Sequence, residues 1–395
     1  MRVSTSMLAQ GAVGQLQRQQ AALAKTQLQM ATGQRLTSAA DDPSGAASAV
    51  GLDHAQAQFQ RYQGSIDAAR HRLGLEENVL ADSGQLLQRV RELAIQLNSG
   101  TQSAQTRGVI ATELRGLREQ LLGYANSDDG QGRYLFAGSQ DGSAPFAGNG
   151  TVSYAGDQQQ RLLQVTNSRT VADTDPGSEV FQRLRDGNGT FTVAADSANT
   201  GVARLSGARV TDLSLWDGGS YTLGFNAGNY EIRDAGNAVV TSGAYSEGQV
   251  LSFRGIDLTL SGAPADGDRF SIGASSQQDV FAQIEQLARI AETPFDTAAQ
   301  RAQNQTAIHQ SLASLDAATL HLTDVRAAVG NRLAVLDDAE SQNGAQEVEV
   351  ATALSNIRDL DYAEAATRLS QQLTALQAAQ QTFARVQGLS LFDYL

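Results

Sequence analysis

The chain has 395 residues, 41% hydrophobic and only 6% aromatic, with a formal net charge of −13 and a single lysine, Lys25, among its 29 basic residues. That length allows two or three domains, and an apolar share that leans on alanine favours long thin helices over a thick core. The acidic balance, with no basic stripe interleaved with aromatics, argues against nucleic acid as a partner. No apolar run reaches the length of a membrane-spanning helix, and the absence of cysteine excludes disulfides, thiolate metal sites and cysteine nucleophiles. The opening MRVSTSMLAQGAVGQLQRQQ lacks an apolar h-region, so no cleavable secretory signal is expected.

A helical pattern runs from about Ser4 to Thr32 and stops at Gly33. Leu16, Leu23 and Met30 recur in it every seven residues. Leu369, Leu376 and Phe383 do the same near the C-terminus, joined by Leu373. A narrow apolar seam packs against another helix, so the first and last helices are expected to pair and to form an assembly surface. Asp42 followed by Pro43 starts a second helix, because aspartate caps exposed amides and proline has no N–H to leave unpaired. That helix continues to about Asn98 on the beat of Leu73, Leu80, Leu87 and Ala94, with Ile66, Leu86, Val90, Leu93 and Leu97. A third spans roughly Ser103 to Asn126.

The character then changes. Residues 138–273 hold 21 of the 38 glycines, and short alternating runs sit between turn residues there. Such runs at 151–154, 220–225, 229–232, 238–240, 250–253 and 256–260 predict antiparallel strands. Helix resumes near Gln277. After Pro294 a heptad runs through Ile308, Leu312, Leu315, Thr319, Leu322, Arg326, Val329, Leu333 and Leu336. It crosses polar Glu340, Asn343 and Glu347 before Val350, Leu354 and Ile357 return in phase. The expected fold class is α+β: an elongated helical coiled-coil rod formed by both chain ends, with an inserted antiparallel β domain. The expected division is 1–35 with 361–395 as a terminal coiled-coil domain, 36–137 with 276–360 as a helical rod, and 138–275 as the β domain.

The residues assemble no reaction. His54, His71, His309 and His321 all fall on predicted helices, and no HExxH pair exists. Asp186 to Thr190 begins like a calcium loop, but Phe191 and Ser197 stand where glycine and glutamate are required. Asp266-Gly267-Asp268 reads as a hairpin turn, and no phosphate-binding or nucleophile-elbow motif is present. No catalytic, cofactor or metal site is predicted. Asp41 and Asp42 are better explained by helix capping than by acid–base chemistry.

TGQRLTSAADDPSGAA at 32–47 resembles the signature between the first two helices of the flagellin superfamily. RVRELAIQLNSGT at 89–101 is similar to the end of that family's second helix. The closing QQTFARVQGLSLFDYL at 380–395 and the opening RVSTSM at 2–7 resemble its hook-associated members, whereas filament flagellins commonly finish near LeuLeuArg. GAPADGDRFSI at 262–272 looks like a hairpin of hook-associated proteins. The resemblance implies a structural adaptor at the hook–filament junction, exported unfolded through the flagellar type III channel. It implies as partners hook-associated protein 1, flagellin, further copies of the chain, and a small cytoplasmic export chaperone on the C-terminal helix. It implies no cofactor, no membrane and an extracellular location after export. The rival readings are a filament subunit, a secreted enzyme on a flagellin-like rod, and a ligand for a flagellin-sensing receptor. Arg89, Arg91 and Glu92 lie in the segment resembling the recognised region, and are first explained as solvated helix charges.

Overall fold

The computed structural model describes residues 5–99, 102–148 and 150–388. The opening residues 2–4 and the closing residues 389–395 of the resembling segments lie outside that range. Six α-helices are described: α1 (Thr5–Thr32), α2 (Pro43–Asn98), α3 (Ala104–Ala125), α4 (Val280–Glu292), α5 (Ala298–Arg358) and α6 (Tyr362–Gly388). The helix boundaries fall where the sequence signals put them. Ser103 accepts the amide of Thr106 at the start of α3, and Asp279 accepts that of Ala282 at the start of α4. The architecture is long helices from both chain ends with an antiparallel β domain between them.

Two compact units divide the chain: residues 1–64 with 339–395, and residues 65–338. Helices α2 and α5 contribute residues to both. In the second unit the seam of α2 keeps alternate spacings of three and four from Ile66 through Leu73, Leu80 and Leu87 to Ala94, each at most 1% exposed. Two seam positions are polar and equally buried: Glu76 and Ser83 are both 0% exposed. Helix α5 runs antiparallel to α2 here. Arg70 meets Asp337 at 2.9 Å, Arg326 meets Glu77 at 2.6 Å, and Arg91 meets Asp316 at 2.7 Å. Exposed pairs like these fix register more than they add stability. Helix α3 packs on α4, and Phe136, Phe146, Phe181 and Phe281 gather beside them with ring centroids 5.2–6.2 Å apart.

Short strands precede the main β structure: β1 (Phe146–Ala147) with β2 (Ser153–Tyr154), β3 (Leu162–Gln164) with β4 (Thr170–Ala172), and β5 (Leu184–Arg185), which pairs with a later β14 (Gln277–Gln278). The sandwich itself comprises β6 (Phe191–Ala195), β7 (Arg204–Val210), β8 (Tyr221–Asn226), β9 (Asn229–Asp234), β10 (Val239–Ala244), β11 (Val250–Phe253), β12 (Ile256–Ser261) and β13 (Arg269–Ala274). A five-stranded sheet in the order β10-β9-β8-β13-β6 faces a three-stranded sheet in the order β11-β12-β7. Alternate residues of both fill one core, including Phe191, Leu223, Phe225, Leu258, Phe270 and Ile272.

Strands β6 and β7 are edges, and the sequence patterning missed both. Helix α5 takes one amide from each: Gln310 Oε1 accepts the Val193 amide at 3.2 Å and Thr306 Oγ1 that of Leu205 at 3.1 Å, while in the loop before β6 Ser314 Oγ accepts the Gly187 amide at 2.8 Å. A helix thereby covers the edges that would otherwise offer unpaired backbone to another chain.

The β8–β9 turn holds Ala227 at φ 49° and Gly228 at φ 75°. A two-residue hairpin of this hand needs positive φ at both positions, which costs an L-alanine about 1 kcal/mol. Ala227→Asn keeps the bond from the residue-227 amide to Asp266 Oδ1 and relieves the strain. Its expected result is a gain of about 1 kcal/mol in denaturant unfolding of the sandwich.

Candidate assembly site

Within the first unit α1 packs against α6. The end of α1 meets the start of α6, where the Leu360 amide donates to Gly33 O at 3.0 Å, so the pair is antiparallel. The predicted residues Leu16, Leu23 and Met30 on α1, and Leu369, Leu376 and Phe383 on α6, are all half-buried. Leu373 falls one step off the stripe and is 42% exposed.

The positions between the large residues were not anticipated. On α1 the less exposed face steps by four and three through Ala12, Leu16, Gln19, Leu23, Thr26 and Met30. On α6 it steps through Ala365, Leu369, Gln372, Leu376, Ala379 and Phe383. A full heptad count would have found them, since every intervening position is small or polar. The seam is therefore thin. Half-burying a large apolar side chain contributes about 1 kcal/mol, and a pair of helices held by six such residues is marginal alone.

The signature loop after α1 is a clasp. Gly33 sits at φ +71°, the left-handed conformation that ends a helix, and an added Cβ would stand 3.0 Å from the Tyr362 hydroxyl. Gln34 and Asp359 form an antiparallel bridge, and the Arg35 amide donates to Arg358 O at 2.6 Å. The Arg35 guanidinium reaches Ile357 O through Nη2 at 2.7 Å and Nε at 3.1 Å, satisfying a carbonyl at the end of α5. Gln29 Nε2 donates to Arg35 O at 2.6 Å, and Arg358 Nη1 pairs with Asp53 at 2.8 Å.

The two aspartates of the loop divide the work. Asp41 accepts Lys25 Nζ at 2.6 Å, Thr37 Oγ1 at 2.8 Å and the Ser38 amide at 3.1 Å. The bonds from Lys25 and then Thr37 push its pKa down to about 2. A lowered carboxylate stabilises the fold fully above its unfolded pKa of about 3.9. That contribution is lost as pH falls from there toward about 2. Asp42 Oδ1 accepts the Gly45 amide at 2.9 Å, capping α2 as its sequence predicted.

Glycine at 45 has a specific reason. A Cβ there would lie 2.4 Å from Asp42 Oδ2, so any side chain displaces the cap. In an ordinary helix glycine to alanine gains about 1 kcal/mol. Here loss of the cap offsets that gain, so Gly45→Ala is expected to be near neutral while Asp42→Ala loses about 1 kcal/mol in thermal unfolding followed by circular dichroism.

The remaining candidate chemistry stays dispersed. His309 is half-buried on α5, and burial lowers its pKa. A His321 ring nitrogen lies 2.8 Å from Glu179 O. Among the described residues no three His, Cys, Asp or Glu side chains are grouped to hold a metal.

Terminal helices that pair through a half-filled seam, clasped at one end, define an assembly subunit. Residues 3–141 match the bacterial flagellin N-terminal helical region, and residues 312–395 the C-terminal helical region. Residues 194–274 match the D2-like domain of flagellar hook-associated protein 1. Over 394 residues the chain is 26% identical to flagellar hook-associated protein 3 of Salmonella typhimurium, covering 100% of this chain and 99% of that protein. The crystal structure of Xanthomonas campestris FlgL is 41% identical, covers 77% of this chain and 99% of its own, and superposes with a TM-score of 0.72. That of the flagellar junction protein FlgL from Legionella pneumophila is 30% identical, with 79% and 100% covered and a TM-score of 0.72. The chain belongs to the hook-associated protein 3 (FlgL) family of flagellin-type proteins.

Proposed function

We infer that this chain is a structural adaptor subunit of the bacterial flagellum, seated at the hook–filament junction. One observation carries the reading: the end-to-end sequence likeness to hook-associated protein 3, which takes in the terminal helices and the inserted β domain together. The thin α1–α6 seam supports it, because half-buried Leu16, Leu23, Leu369 and Leu376 leave apolar surface for neighbouring subunits to cover. Neighbours are further copies of the chain, hook-associated protein 1 on the hook side and flagellin on the filament side.

The segments 1–35 and 361–395 form the assembly core, 36–137 with 276–360 the helical body, and 138–275 the inserted domain. The chain performs no catalysis. Before assembly it crosses the export channel unfolded, with a cytoplasmic chaperone covering the C-terminal stripe of Leu369, Leu373, Leu376 and Phe383. The test is complementation of a strain lacking its own junction protein. Restored swimming with attached filaments is expected. Filaments shed into the medium despite export of the chain would overturn the reading.

A further inference from the structure

Glu76 occupies a seam position of α2 where the pattern on either side is leucine, and its side chain is fully buried. Its Oε1 accepts the Asp175 amide at 3.1 Å, while Oε2 is buried without a partner among the described residues. The groups facing it are Asp173 and Asp175 from the segment after β4, and Arg332 from α5. Arg72 lies one turn earlier on α2.

Each of these arginines is already committed. Arg332 grips both oxygens of Asp175, at 2.7 and 2.9 Å, and Gln160 donates to Asp175 at 2.7 Å. Arg72 lies 3.0 Å from Asp129 and 3.2 Å from Asp173, and Arg161 also donates to Asp173 at 2.8 Å. Asp173 keeps one buried oxygen without a donor. Glu76 thus has no cation of its own, and an ionised carboxylate there would add a second unpaired acceptor beside two existing negative charges. A buried charge without a partner is expensive, so the group is held as the neutral acid.

We propose that Glu76 is a proton-dependent latch: as a neutral acid in the α2 seam it holds the segment around Asp173–Asp175 closed over α2, and loss of its proton opens that segment. Burial, with the neighbouring Asp175 charge adding to it, holds the Glu76 pKa well above the ordinary carboxylic range. In the open segment, where water reaches the carboxyl, Glu76 returns toward the ordinary glutamate range. Between that range and the raised closed-state value, opening grows about tenfold per pH unit, then levels off. The contribution to stability is full below the unfolded pKa and is lost as pH rises toward the folded one.

The experiment is hydrogen exchange of the full chain from pH 5 to pH 9, corrected for the intrinsic pH dependence of exchange. Peptides spanning residues 170–177 report the latch, and peptides from β8 serve as control. Wild type is expected to open about tenfold more per pH unit above pH 5 and then to plateau, while Glu76→Gln stays flat and β8 is unmoved in both. A flat wild-type profile, or the same slope in Glu76→Gln, overturns the proposal. Should Glu76→Gln fail to fold, Asp175→Asn removes the nearest like charge and is expected to bring the plateau to lower pH. An unmoved plateau overturns the proposal equally.

Discussion

Changing Leu376 and Phe383 together to aspartate is expected to abolish filament attachment while leaving the β sandwich as stable as in wild type. Both side chains lie half-buried in the α1–α6 seam, where six large apolar residues are found among the described side chains. Each loss forfeits about 1 kcal/mol of contact and sets a charge against a largely apolar stripe. The chain's single lysine, Lys25, is already held by Asp41. A helix pair this thin has no reserve to absorb two such changes. Motility should fall to that of a null strain, with the exported variant recovered from the medium. Normal swimming by a stably exported double variant would show that this stripe is not the assembly surface. Leu373→Asp, at an exposed site off the stripe, should be far milder within the subunit.

Arg72→Met should produce the largest loss of stability available from one substitution in the second unit. Arg72 is nearly inaccessible and lies against Asp129 and Asp173, whose side chains are both 0% exposed. Its Nη2 also donates to Tyr134 O at 3.3 Å. Removing one partner from a buried ion pair costs about 3–5 kcal/mol, because the carboxylates remain without compensation. Arg133 and Arg161, both partly exposed, can relieve only part of this. Set against a typical domain stability of about 5–15 kcal/mol, the loss shows as a large fall in denaturant midpoint. Arg72→Lys should recover little, since one ammonium cannot serve two carboxylates in the fork geometry that arginine provides. A change below about 1 kcal/mol for Arg72→Met would contradict the burial argument.

The helices were legible because their signals are local. Asp42-Pro43 started α2 and the four-three spacing from Ile308 onward traced α5, since capping and seam periodicity depend only on residues a few positions apart. The six strands read from alternation lie at or beside β2 and β8 to β12. Strand β7 escaped because Gly207 and its arginines break the apolar alternation. What holds its edge is Thr306, about a hundred residues later in the chain. Glu76 was invisible for a related reason. A glutamate between leucines reads as solvated, and only the return of Asp173 and Asp175 to that place makes it a buried acid. In the candidate assembly site the large residues of the α1–α6 pair were readable, but the clasp was not. Arg35 meets Ile357 across 322 positions, and no local pattern announces such a bond. The four-three spacing between Leu369 and Leu376 also admits Leu373, yet Leu373 is 42% exposed and Gln372 takes the less exposed position at that turn.

Electron microscopy of intact flagella carrying a label on the β10–β11 turn, at Glu247, bears most directly on the junction role. That turn is exposed and lies far in sequence from α1 and α6, so a label there leaves the terminal seam intact. A single narrow band at the distal end of the hook, with none along the filament, is the predicted result. Label distributed along the filament would make the chain a filament subunit and contradict the assignment.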